Sequence, residues 1–174
     1  MRGDKKPFHD RDDLTGEHII GDAGQIILAV IFIGVWITDT FFLKFSTMFS
    51  QYIPDYVKIP VAVILFAIAG YLAIKGMGIV FGKVRETPVV IKDGVFAVVR
   101  HPIYLSEILV YLGFLIMGLS LACVFIWIII IAFFQYISRH EEKLLLARFG
   151  DDYRQYMKDV PMWIPQPWRK KKGT

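Results

Sequence analysis

IYLSEILVYLGFLIMGLSLACVFIWIIIIAFFQYI, residues 103–137, is an apolar run that goes out and comes back. Gly118-Leu119-Ser120 interrupts it near the middle, so residues 103–118 and 119–137 read as the two arms of a hairpin. A hairpin returns whatever follows it to the end where it began. Arg100-His101-Pro102-Ile103-Tyr104 stands at the foot of the first arm, and Glu141-Glu142 lies just beyond the second. A cationic cluster and a carboxylate pair are therefore expected together at one bilayer surface, a setting suited to chemistry between water and lipid.

Composition sets the class around this hairpin. The chain has 174 residues, 55% of them hydrophobic, which is high for an ordinary soluble domain. Residues 24–45 and 57–82 are two further apolar runs, so the expected fold is all-α and membrane-integral, with about four transmembrane helices. A span needs roughly 20 residues at about 1.5 Å each, which the first two runs supply. The hairpin arms are shorter and call for a thinned bilayer or for extension by flanking residues. Backbone at membrane depth must satisfy its own hydrogen bonds, which requires helices here, since nothing alternates like barrel strands. The first twenty residues are too charged for a secretory signal. The single cysteine, Cys123, excludes an intrachain disulfide and a cysteine-rich metal site. Neither His9, His18 nor His140 has a ligand-like partner at fixed spacing, so no metal is expected. The net charge of +4 gathers at the ends of the apolar runs, so it argues for membrane lipids as partners and against nucleic acid.

Basic residues orient the chain. Arg2, Lys5, Lys6 and Arg11 precede the first run; Lys83, Arg85, Lys92 and Arg100 separate the second from the third; Arg169-Lys170-Lys171-Lys172 closes the tail. The connection between the first two runs has only Lys44 and Lys58 at its edges, and the hairpin turn has none. Both termini and the Arg100 region are thus expected in the cytoplasm, at the cell membrane of a prokaryote or the endoplasmic reticulum membrane of a eukaryote. The organisation reads as a cytoplasmic segment (1–23), a transmembrane region (24–137) and a cytoplasmic tail (138–174). In the tail, Glu142, Leu146, Phe149 and Tyr153 share one helical side, Gly150 reads as a stop and Asp151 as the N-cap of the next turns. Trp163 and Trp168, among prolines, suit a membrane interface.

Arg100-His101-Pro102-Xaa-Tyr104, then Glu141-Glu142-Xaa-Xaa-Leu145, then Phe149-Gly150-Asp151-Asp152-Tyr153-Xaa-Xaa-Tyr156 resembles the isoprenylcysteine carboxyl methyltransferases and related phospholipid methyltransferases. The resemblance covers roughly residues 75–165 and rests on order and spacing more than on any one piece. It implies methyl transfer from S-adenosylmethionine, with S-adenosylhomocysteine as product, to a lipid or prenylated small-molecule acceptor. It also implies a cofactor site at Arg100, His101, Pro102, Tyr104, Glu141 and Glu142, joined by Gly76 and Gly78 at the inner end of the second span, where the adjoining Lys75 could approach the cofactor carboxylate.

The chemistry of these residues is consistent with that cofactor. Carboxylates accept hydrogen bonds from ribose hydroxyls or an ammonium, and a guanidinium or imidazole holds a carboxylate. Glycines allow close approach to a backbone, and Tyr104 offers a ring to a cation or an adenine. Methyl transfer is a linear displacement governed by alignment and desolvation, so the catalytic residue stays unassigned, with Arg100, His101 and Glu107 as positioning candidates.

Other readings stand beside these. Gly76-Met77-Gly78 also fits close helix packing, and Arg100-His101-Pro102 also fits a basic stop before a proline-started helix. Asp39 lies toward the outer face, where water or a helix partner would satisfy it, and Lys75 could snorkel. Arg100-His101-Pro102-Xaa-Tyr104-Xaa-Xaa-Glu107 further resembles nicotinamide-dependent sterol and steroid reductases, which usually lack the Glu-Glu pair. Tyr156-Met157-Lys158-Asp159-Val160-Pro161 departs from the Tyr-Lys-Lys-Arg-Val-Pro of eukaryotic carboxyl methyltransferases by an acidic residue. The acceptor is accordingly a prenylated-cysteine carboxylate first and a phospholipid amine second, against a reductase or a non-enzymatic membrane assembly subunit.

Overall fold

A computed structural model describes residues 19–82 and 88–165. The N-terminal basic residues, Lys83, Arg85, Trp168 and the 169–172 run lie outside the described residues. Among those described, the protein is all-helical: α1 (Ile19–Ile37) continuing as a π-helical turn (Thr38–Leu43), α2 (Asp55–Phe81), α3 (Pro102–Gly118), α4 (Leu121–Phe149) and α5 (Asp151–Asp159). Short 3-10 turns at Met48–Gln51 and Gly94–Ala97 punctuate the connections. Three helical stretches, Ala23–Leu43, Asp55–Phe81 and Leu121–Phe149, are long and apolar enough to cross a membrane, and Pro102–Gly118 is a shorter apolar helix. The protein is an all-α membrane protein.

The hairpin turn forms where the small residues stand. Leu119 closes α3 in the left-handed region (φ 48°), a costly conformation for a non-glycine residue, and its N–H donates to the Leu115 carbonyl at 2.7 Å. Ser120 then N-caps α4, its hydroxyl accepting from the Cys123 N–H at 3.2 Å. At 17 residues α3 is about 26 Å long, a little under the hydrocarbon thickness of about 30 Å. The 29 residues of α4 give about 44 Å, so its last turns project beyond the bilayer without a break at residue 137. The arm predicted to be short is thus extended by its own flank, carrying Glu141 and Glu142 with it.

α3 is the hub, meeting α2, α4 and α1. The α2 seam places Ala62, Ala69 and Gly76 seven residues apart, all small and buried, which lets the two backbones approach closely. From the α3 side Gly113 does the same: a Cβ there would stand 2.6 Å from the Phe66 ring. Indole N–H groups cross-link the helices, Trp36 to the Phe114 carbonyl at 2.7 Å and Trp127 to the Ile108 carbonyl at 3.1 Å. The core they surround contains Phe32, Ile108, Tyr111, Leu115, Ile130 and Phe134.

At the hairpin-turn end of the bundle Asp39 finds protein partners. Its carboxylate accepts from the Ser46 N–H at 3.0 Å, the Ser46 hydroxyl at 2.5 Å and the Ser120 hydroxyl at 2.5 Å. Ser46 in turn accepts the Leu121 and Ala122 N–H groups, at 3.1 and 3.0 Å. The α1–α2 connection is therefore stitched onto the hairpin turn.

Candidate cofactor and acceptor site

Pro102 at the first position of α3 makes His101 the N-cap residue, yet the His101 side chain makes no cap hydrogen bond and turns to α4 instead. The neighbours Glu141 and Glu142, about 100° apart around α4, receive it from both sides. His101 Nε2 lies 3.1 Å from Glu142 Oε1, and Nδ1 lies 3.6 Å from Glu141 Oε2. Arg100 Nε donates to the same Glu142 Oε1 at 2.7 Å. The Tyr104 hydroxyl donates to Glu141 Oε1. Rings extend the cluster: His101 stacks on Tyr104 at 5.8 Å between centroids, and Tyr104 on Phe134 at 5.2 Å.

The two carboxylates differ in setting. The Glu142 side chain is 7% exposed and faces the Arg100 guanidinium and the His101 imidazole, whereas Glu141 is 17% exposed. A buried carboxylate is tolerated only when paired, and Glu142 is. Arg100 does more than pair with it. Its Nη1 donates to the Met157 carbonyl at 2.9 Å and the Val160 carbonyl at 2.5 Å. The backbone N–H groups of Arg100 and His101 donate to Pro161 and Met162, at 2.9 and 3.3 Å. Arg100 thus clamps the end of α5 against the foot of the hairpin, a role that sequence spacing does not reveal.

That clamp shapes the polar face. Gly150, at φ 55°, ends α4 as expected, and it serves also as the N-cap of α5, one residue earlier than Asp151. Tyr153, Tyr156 and Val160 pack with Leu145, Leu146, Phe149 and Val90, and the Tyr156 hydroxyl donates to the Phe96 carbonyl at 2.7 Å. Burial pushes the Tyr153 hydroxyl well above the usual tyrosine range, with the nearby Glu142 charge adding to it. Burial raises Tyr156 as well, against an opposing effect of Arg100. Both groups titrate higher folded than unfolded, so this layer is intact below about pH 10 and weakens as pH rises past it. Thermal midpoints in detergent should fall in that alkaline range, and Tyr153→Phe should remove part of the fall.

Beside the cluster lies an open cleft of about 510 Å³, lined by Gln135, Arg139 and Glu142 of α4 and by Pro161, Met162, Trp163 and Ile164. Trp163, expected to suit a membrane interface, packs partly buried against the core. Gln135, Arg139 and Trp163 have no place in the sequence motifs. Only the i, i+4 spacing of Gln135 and Arg139 ahead of Glu142 hinted at a polar face.

The remaining predicted residues are placed differently. Gly76 faces α3, where a Cβ would come 2.9 Å from Ile103 Cγ1, so its close approach is helix to helix. Lys75 and Gly78 are exposed, and a Cβ at Gly78 meets nothing within 4 Å. Gly76→Ala should therefore lower stability by about 1–2 kcal/mol, overpacking being partly offset by helix propensity, while Gly78→Ala should not. Unfolding in detergent–denaturant mixtures measures both. Glu107 is half-buried one turn beyond Tyr104, within electrostatic reach of Tyr111. Among the described residues, no group of His, Cys, Asp and Glu is arranged to hold a metal ion.

Comparison with known proteins adds to this geometry. A Protein-S-isoprenylcysteine O-methyltransferase of Schizosaccharomyces pombe is 34% identical over 88 residues, which is 50% of this chain and 37% of that protein. The chain therefore aligns with little more than a third of that relative's length. The phospholipid methyltransferase family matches residues 56–152, from the start of α2 through the hairpin and the acidic pair into α5. With more than half of its 174 residues matched, the chain belongs to the phospholipid methyltransferase family.

Proposed function

We propose that the protein is a membrane methyltransferase using S-adenosylmethionine, with a prenylated-cysteine carboxylate as its acceptor. The observation that carries this is His101 clasped between Glu141 and Glu142 at the foot of the hairpin, beside an open cleft, within the family-matched stretch. The residues present fit the cofactor. The Glu141 carboxylate, partly exposed, suits an ammonium or ribose hydroxyls, and the His101–Tyr104–Phe134 stack offers aromatic faces to the adenine or the cation. The cleft falls within the range of small-molecule sites, roughly 300–1,000 Å³. Bound S-adenosylmethionine supplies a sulfonium methyl, which an acceptor oxygen takes as the C–S electron pair stays on sulfur, with no proton moved.

The chain's own groups then align and desolvate. Tyr104 and His101 fix the Glu141 carboxylate, and Arg100 fixes Glu142 together with the tail that walls the cleft. Arg100 acts here as a positioning residue, since Nε and Nη1 are engaged within the protein. A carboxylate nucleophile is already ionised at neutral pH and asks for no general base. The family description, phospholipid methyltransferase, favours a second reading in which a phospholipid amine is the acceptor. His101 or a carboxylate would then take the proton. Both readings set the polar face on the cytoplasmic side, following the basic-residue asymmetry.

Methyl incorporation from labelled S-adenosylmethionine tests this, with N-acetyl-S-farnesylcysteine and phosphatidylethanolamine vesicles offered separately. Label in the farnesylcysteine is expected, with Glu141→Gln reducing the rate by about 10- to 100-fold through lost cofactor binding. Label only in the phospholipid would establish the amine reading, and label in neither would count against both.

A further inference from the structure

The cleft beside the Glu141–Glu142 cluster has donor chemistry that the cluster does not share. Among the described residues its one carboxylate is Glu142, whose Oε1 is held by Arg100 and His101. The polar groups that remain on its walls are the exposed Arg139 guanidinium, the Gln135 amide and the Trp163 indole. An indole N–H donates and cannot accept. Trp163 Nε1 is closed off from solvent and has no hydrogen-bond partner. A desolvated donor without a partner is destabilising, and a phenylalanine would fill much of the same space against the core without that penalty. Packing alone therefore does not account for a tryptophan here.

The location narrows what the missing acceptor atom belongs to. Gln135 sits at the apolar end of the cleft and Arg139 one turn farther, where α4 leaves the bilayer. The same face of α4 continues upward through Ala132, Ile128 and Phe125, all exposed, so a hydrocarbon chain lying on it leads straight into the cleft. Trp163 follows directly on Pro161 and Met162, whose carbonyls anchor the tail to Arg100 and His101.

We propose that this cleft is the headgroup subsite of the acceptor, where Arg139 and the Trp163 indole N–H hold an anionic carboxylate oxygen. The proposal rests on the methyl-transfer reading and deepens it. Because Trp163 Nε1 is closed off from solvent, the proposal requires the indole to turn toward the cleft for its N–H to reach the headgroup. Methylation removes the carboxylate's charge, so the subsite that grips the substrate releases the ester.

Competition binding of N-acetyl-S-farnesylcysteine and of its methyl ester to the full chain in detergent tests this. The wild-type protein should prefer the free acid by about tenfold. That ratio should collapse toward unity in Arg139→Gln and fall about threefold in Trp163→Phe, with S-adenosylhomocysteine affinity changed less than about twofold in both. Equal affinity for acid and ester, or binding of neither, overturns the proposal. So does an unchanged ratio in Trp163→Phe accompanied by a higher thermal midpoint, the signature of a donor retained by packing alone. Weakened S-adenosylhomocysteine binding in these variants overturns it too, since the donors would then face the cofactor. Failure of the wild-type chain to bind S-adenosylhomocysteine at all would strike the methyl-transfer reading itself.

Discussion

Glu142→Ala is expected to destabilise the protein by about 3–5 kcal/mol, among the largest effects of any single substitution. The change leaves the Arg100 guanidinium, only 10% exposed, without its counter-ion, and leaves His101 Nε2 without its partner. Arg100 is also the clamp on the Met157 and Val160 carbonyls, so its displacement frees the tail that walls the cleft. The loss should therefore appear as early release of α5 in hydrogen exchange, followed by a lower thermal midpoint in detergent. Glu142→Gln keeps an acceptor oxygen and should lose about half as much. Asp151→Ala, by contrast, breaks an exposed pair with Arg154 and should change stability by less than about 1 kcal/mol. A salt-bridge count would treat the two acidic residues alike, and burial separates them.

The second large effect is predicted at the opposite end of the bundle. Asp39→Ala removes the acceptor for the Ser46 N–H and for the Ser46 and Ser120 hydroxyls. The two hydroxyls, 3.1 Å apart, can still bond to each other, so the net loss should be about 2–4 kcal/mol. Two residues held in the left-handed region, Lys44 and Leu119, flank this brace and would be the next to relax. Unfolding in detergent–denaturant mixtures gives the stability. S-adenosylhomocysteine affinity of the folded fraction should stay within about twofold, because a full α3 length separates Asp39 from His101. Loss of ligand binding without loss of stability would show that Asp39 has a different role.

These predictions divide along what the sequence could reveal. The hairpin was legible because Gly118-Leu119-Ser120 punctuates an apolar run and because Pro102 suits the first turn of a helix. The meeting of His101 and Tyr104 with Glu141 and Glu142 followed from that geometry, with no knowledge of any contact. Arg100's hold on the tail was hidden because it reaches main-chain carbonyls at Met157 and Val160, which leave no mark in side-chain patterns. The partners of Asp39 lie 7 and 81 residues away, beyond any local window. Gly76 was open to two readings, and Ala62 and Ala69 at heptad spacing would have pointed to packing. The packing of Trp163 against the core depends on tertiary contacts that interfacial preference alone does not weigh.

Calorimetric titration of S-adenosylhomocysteine into the purified full-length chain in detergent tests the central claim most directly. One site per chain is expected, lost in Glu141→Gln although that variant keeps a wild-type thermal midpoint. Binding of NADPH with no response to any S-adenosyl compound would contradict the account.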